Sequence, residues 1–198
     1  MKTFYVTQNT NLKDFTDSVY PQGSFCFSAL LRAKDIKVNG VRTSRSVPLK
    51  SGDEVVYYTN AKQEGKQSHT VIYRDANVLV ADKFSGVSSE GLLCELSATG
   101  ECYAVHRLDR NTQGLIVFAL NRAAEEELLS AFRERRINKT YIALCKNAFK
   151  QDCATLTAYL EKDAAKGLVR VSDRCAHGAE KIVTEYCVEE RLGDIARV

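Results

Sequence analysis

The chain predicts an α+β fold with a mainly antiparallel mixed sheet, and three observations carry that expectation. Short alternating apolar segments recur between Gly-, Asn- and Asp-containing turns. A single segment, residues 121–136, carries a full set of helix signals. A polar stretch, Asn60 to His69, divides two regions that each have their own apolar pattern. The expected organisation is a small module over residues 1–60, a linker over 61–69, and a larger domain over 70–198.

In the first region, Phe25 to Ala33 has helical apolar spacing. The run Ile36-Lys-Val-Asn-Gly-Val-Arg42 alternates about Asn39-Gly40, a pair suited to a two-residue hairpin in which both central residues need positive φ. Ser51-Gly52-Asp53 is a second turn and leads into the alternating strand Glu54 to Tyr58. About sixty residues bury little surface, so this unit should behave as an appended module.

In the second region, Val71 to Tyr73 and Val78 to Asp82 read as strands around Asp75-Ala-Asn77. Tyr103 to Leu108 and Leu115 to Leu120 read as strands flanking the polar loop 109–114. Asn121 then caps a helix with Glu125, Glu126 and Glu127 early and Arg133, Arg135 and Arg136 late, an order that complements the helix dipole. Leu128, Leu129 and Phe132 give that helix its buried face. Thr140 to Cys145, Thr155 to Leu160, Leu168 to Ser172 and Lys181 to Val188 complete the expected strands.

Composition limits the function classes. The chain has 198 residues, 44% hydrophobic and 27% charged, which is ordinary for a soluble globular protein. The N-terminus lacks a signal-peptide pattern and the longest apolar run is too short to span a bilayer, so a cytoplasmic protein is expected, as a monomer. Seven scattered cysteines without a C-x-x-C pair read as reduced thiols, and Cys175 with His177 has no partner pair for a metal. A net charge of +3 does not itself imply nucleic acid. Its distribution says more: Arg32, Lys34, Lys37, Arg42, Arg45 and Lys50 stand against the lone acid Asp35, and Arg133, Arg135, Arg136 and Lys139 form a second cluster.

The chemistry centres on His106-Arg107-Leu108-Asp109. If this is a strand, Arg107 and Asp109 project to one side, so a guanidinium favours an ionised carboxylate at the strand end. Such a group suits a nucleophile, and the same pair also reads as a structural salt bridge. The residues alone leave both open. No P-loop, G-x-G-x-x-G, H-E-x-x-H or Ser-His-Asp order accompanies it.

The run His106 to Leu115 resembles the H-R-L-D-x-x-T-S-G-L signature of the RluA-type pseudouridine synthases. Upstream, Ile72 to Gly86 resembles the family's strand pair ending in K-P-x-G; downstream, Phe132 to Leu144 is similar to its F-R-x-R-x-x-x-K-x-Y block. The N-terminal residues resemble an alpha-L RNA-binding domain of the ribosomal S-four type. The resemblance implies an RNA-modifying isomerase in which Asp109 is the nucleophile and Tyr141 contacts the uracil or serves proton transfer. It implies that Arg107, Lys139 and the module residues Arg32, Lys34, Lys37 and Arg42 face ribosomal or transfer RNA. No metal or organic cofactor is implied, because the isomerisation is redox-neutral. Phe84 departs from the family Pro and Gln113 from its Ser. The family's third block, T-G-R-x-H-Q-I-R, is missing, so the catalytic domain is expected to lack its C-terminal part. The alternative is a non-catalytic RNA-binding protein on the same fold.

Overall fold

A computed structural model of the chain describes residues 1–65, 67–163, 168–175 and 178–198. It divides into two compact units, Met1–Ile137 and Asn138–Val198. Both helices and antiparallel sheets are present, as an α+β fold requires.

The first unit runs β1 (Lys2–Tyr5), β2 (Thr10–Asn11), α1 (Leu12–Val19), α2 (Pro21–Phe25), α3 (Phe27–Ala33), β3 (Ile36–Val38), β4 (Val41–Thr43), β5 (Pro48–Leu49) and β6 (Glu54–Tyr57). It continues with α4 (Ala61–Glu64), β7 (His69–Arg74), β8 (Val78–Lys83), α5 (Ser89–Ser97), β9 (Tyr103–Ala104), β10 (Gly114–Ala119) and α6 (Arg122–Arg133). Two antiparallel sheets result, ordered β1-β6-β3-β4 and β7-β8-β10-β9, beside the short pair β2-β5. The Asn39-Gly40 hairpin forms with both residues at positive φ, joining β3 to β4. Asp53 pins it: its carboxylate accepts from Asn39 Nδ2 at 2.9 Å and Lys50 N at 2.7 Å. These bonds, the backbone one first, hold that carboxyl below the usual carboxylate range.

Two cores sit in this unit. One gathers Leu12, Phe15, Tyr20, Phe27, Leu30, Ile36 and Tyr57; the other gathers Phe25, Leu79, Leu92, Leu108, Ile116 and Phe118. The expected helix over 25–33 is accordingly interrupted at Cys26. Phe25 ends α2 in the second core, and Phe27 opens α3 in the first.

Helices α1 and α5, which the sequence pattern did not reveal, pack beside α2. Asn11 caps α1 by accepting from Asp14 N, and Ser88 caps α5 by accepting from Gly91 N. Gly91 permits the close approach. A Cβ there would lie 2.7 Å from Ser24 Oγ, 2.9 Å from Ser88 Oγ and 3.0 Å from Ser24 Cβ. Both hydroxyls are committed to each other at 2.8 Å, so neither yields freely. Gly91→Ala should therefore lose about 1–2 kcal/mol despite the helix propensity of Ala. Chemical denaturation measures this as a lower midpoint at constant slope.

The second unit holds β11 (Leu144–Lys146), β12 (Cys153–Asp163), β13 (Leu168–Ser172), β14 (Glu180–Cys187), β15 (Glu190–Leu192) and β16 (Ile195–Arg197). Its sheets are β13-β12-β14 and β11-β16-β15. The expected strand over 140–145 is confined to β11, preceded by irregular chain. The cysteine reading also changes. Cys153 and Cys187 are register partners across β12 and β14, with Cα atoms 4.1 Å apart, and are disulfide-linked. Cys26, Cys94, Cys102 and Cys145 are half-buried and Cys175 is exposed; His177 lies outside the described residues. Among the described residues no helix is long and apolar enough to cross a membrane.

Candidate active site

Asp109 lies between β9 and β10 in a loop, since only Tyr103 and Ala104 of the expected strand 103–108 pair with β10. The reason is a side chain from another element. Leu108 has its backbone taken by it: its N–H donates to Ser89 Oγ at 3.0 Å and its carbonyl accepts from the same hydroxyl at 2.8 Å. Ser89 opens α5, so the capped helix start holds the residue before Asp109.

The residues on either side are held as closely. The Asp109 carbonyl accepts from Thr112 N at 3.1 Å, and the Arg110 carbonyl accepts from Gly86 N at 2.7 Å and Lys83 Nζ at 3.4 Å. Ser85 Oγ donates to the Asn111 carbonyl at 3.1 Å. Upstream, His106 Nε2 accepts from Val117 N at 2.9 Å and its ring packs on Phe132, centroids 4.7 Å apart. Val105 and Leu108 are buried anchors. Asp109 itself is exposed, and among the described residues no hydrogen bond or ion pair reaches its carboxylate.

The expected Arg107–Asp109 pairing is absent. With no strand here, alternation has no force, and the Arg107 guanidinium pairs with Glu90 at 3.1 Å. That exposed pair is worth at most about 1 kcal/mol, so Arg107 is held loosely. Arg110, by contrast, donates to the Ser24 carbonyl at 2.6 Å and lies 3.7 Å from Asp17.

The departure at Phe84 also has a local account. Phe84 N donates to Ser68 O at 2.9 Å, a bond that proline cannot make. Gln113 Nε2 reaches Asp82 at 3.4 Å.

Of the other predicted site residues, Lys37 and Arg42 face each other in the β3–β4 register, and both lie over the Tyr58 ring, at 5.4 and 5.1 Å from its centroid. Arg42 also donates to the Lys34 carbonyl. Arg32 stands exposed in the last turn of α3, outside this cluster's contacts. Lys139 and Tyr141 are exposed residues of the second unit, in the irregular chain before β11. Sequence reasoning missed Lys83, Ser89, Arg110 and Tyr58. Only Tyr58 had a readable signal, since its strand faces a Lys-and-Arg hairpin. Among the described residues no three His, Cys, Asp or Glu side chains gather as metal ligands.

Comparison with known proteins bears on the family and the fold. A family model described as RNA pseudouridylate synthase matches residues 77–194. Ribosomal large subunit pseudouridine synthase C of Salmonella typhi is 29% identical over 189 residues, 82% of this chain and 58% of that protein. The same-named protein of Vibrio parahaemolyticus is 27% identical over 168 residues, 72% of this chain and 53% of that protein. The chain thus spans little more than half the length of these curated relatives. Human RNA Pseudouridylate Synthase Domain Containing 1 shares the fold, with a TM-score of 0.54 at 22% identity over 65% of this chain and 57% of that one. Human RNA Pseudouridylate Synthase Domain Containing 4 does so with a TM-score of 0.53 at 21% identity, covering 65% and 56% respectively. With more than half of its residues matched by that family model, the chain belongs to the RNA pseudouridylate synthase family.

Proposed function

We propose that this protein is an RNA pseudouridine synthase acting on uridines of structured RNA, ribosomal RNA first, with Asp109 as nucleophile. The observation that supports this best is the Asp109 loop: backbone groups from Leu108 to Asn111 are bonded while the carboxylate stays exposed and unpaired among the described residues. A nucleophile needs such fixed placement, because orientation supplies much of the rate.

In the proposed reaction the Asp109 carboxylate attacks the target uridine at the base or at C1′, and the C1′–N1 bond breaks. The uracil turns, C5 bonds to C1′, and the bond to Asp109 breaks to return the free carboxylate; the C5 proton leaves and N1 gains one. Tyr141 contacts the ring or carries that proton. No electrons are gained or lost, so no redox partner is required.

Residues 1–60 are read as an alpha-L RNA-binding module, 61–69 as a linker and 70–198 as part of the synthase domain. Lys37 and Arg42 over Tyr58 offer cations beside an aromatic face, a combination suited to phosphate and base contact, and Lys34 adds a further cation. Arg32 and Lys139 add further cationic contacts. The protein is read as a cytoplasmic monomer.

Tritium release from RNA carrying 5-tritiated uridine tests the reading, since this isomerisation must expel the C5 hydrogen; no release from any structured RNA would overturn it. Arg107 has a separate role in it. Its weak tie to Glu90 lets the side chain swing into the gap that a flipped uridine leaves in a stem. Arg107→Ala should lower turnover of a stem uridine about tenfold, the worth of roughly 1.4 kcal/mol, and leave a single-stranded uridine little affected. Equal turnover of both would remove this role.

A further inference from the structure

The polar network behind the Asp109 loop reaches into the N-terminal helices, and it has no part in the chemistry just described. Asp17 of α1 is 5% exposed and Ser24 of α2 is fully buried. Ser24 Oγ donates to Asp17 and lies 2.8 Å from Ser88 Oγ at the cap of α5. Lys13 Nζ donates to Asp17 at 2.7 Å, and the Arg110 guanidinium approaches the same carboxylate at 3.7 Å while donating to the Ser24 carbonyl at 2.6 Å and the Gly86 carbonyl at 3.4 Å. A buried carboxylate costs free energy unless it is paired, and a well-packed apolar residue is often at least as stabilising. What the ionic cluster adds is direction: a planar fork with fixed bonds.

We infer that Arg110 is a positioning residue which, through Asp17 and Ser24, makes the N-terminal helices part of the scaffold that orients Asp109. Arg110 adjoins Asp109 and falls at a position that the signature leaves open. Its carbonyl is held from the catalytic side by Gly86 N and Lys83 Nζ, and its side chain from the N-terminal side by Ser24 and Asp17. Phe25, one residue after Ser24, is packed in the core that contains Leu108, so the two attachments reinforce each other. The catalytic consequence rests on Asp109 being the reacting group; the mechanical linkage does not.

Backbone hydrogen exchange and tritium release, measured on the whole chain for wild type, Arg110→Gln, Asp17→Asn and the exposed control Arg122→Gln, separate the two. Arg110→Gln should speed exchange at the Gly86, Leu108 and Thr112 amides about tenfold, as expected for losing a charge-assisted bond, with the amides of β1 and β6 unchanged. Asp17→Asn should act in the same direction, the double variant should be less than additive, and Arg122→Gln should do nothing. In catalysis kcat should fall about tenfold with KM for RNA nearly constant, because an orientation is lost and not a contact. Arg110→Lys should recover part of the loss. Unchanged exchange at those three amides overturns the inference whatever the activity. A raised KM at constant kcat overturns it too, since Arg110 would then be an RNA contact. A wild-type chain that releases no tritium counts against the synthase reading, and the exchange result still decides the linkage.

Discussion

Asp109→Asn should abolish tritium release, a fall of about ten-thousandfold or more, because an amide cannot replace a carboxylate that must form a bond to the substrate. RNA affinity should stay the same or rise slightly. An exposed carboxylate set against bound RNA would repel it, so neutralising Asp109 should remove repulsion and no attractive contact. Folding should be unaffected, since no hydrogen bond or ion pair to this side chain exists among the described residues. Activity, filter binding and thermal unfolding on one preparation therefore give a sharp pattern: no turnover, full binding, full stability. Residual release above a hundredth of wild type would move the nucleophile elsewhere. Lost binding would instead make Asp109 part of the RNA-recognition surface.

That pattern depends on a loop whose identity was legible in the sequence and whose construction was not. The signature around Asp109, the cap at Asn121 and the Asn39-Gly40 hairpin are local signals, each complete within a few residues. The β7–β8 pairing follows from two strand segments about the turn at Asp75 to Asn77. What escaped was set by partners far away in the chain. Residues 105–109 have strand-like composition, yet Ser89, 19 residues upstream of Leu108, takes the backbone bonds a strand would need. Arg110 meets Ser24 across 86 residues, and Ser24 meets Ser88 across 64. No local pattern encodes such meetings. Helix α1 is a different case. Leu12, Phe15 and Val19 recur at helical spacing behind the cap Asn11, but Thr16, Asp17 and Ser18 interrupt the apolar pattern. Thr16 and Asp17 are polar because they are bonded inside the fold. Arg107 was misplaced for the opposite reason, a sequence neighbour assumed to be a spatial partner.

Lys83→Ala should be strongly destabilising, at about 3–5 kcal/mol. Lysine is almost never fully enclosed, and Lys83 is fully buried at the end of β8, opposite Gly114 of β10 in the register. Its ammonium donates to the carbonyls of Val87 at 2.8 Å, Phe84 at 3.3 Å and Arg110 at 3.4 Å, closing the turn that precedes α5 onto the Asp109 loop. Alanine would leave a void where the stem was and take a donor from three carbonyls at once. Methionine separates the two losses. It keeps most of the volume, so Lys83→Met should cost only the polar share, about 1–3 kcal/mol. Denaturant midpoints at constant slope measure both values. The Met variant should also turn over more slowly than its stability predicts, because the Arg110 carbonyl loses a donor beside the reacting group. If Met matches wild type in both stability and turnover, the ammonium contributes nothing net and the loop is held by its other bonds. If Met is as damaging as Ala, the cation is what holds the turn, and packing of the stem is secondary.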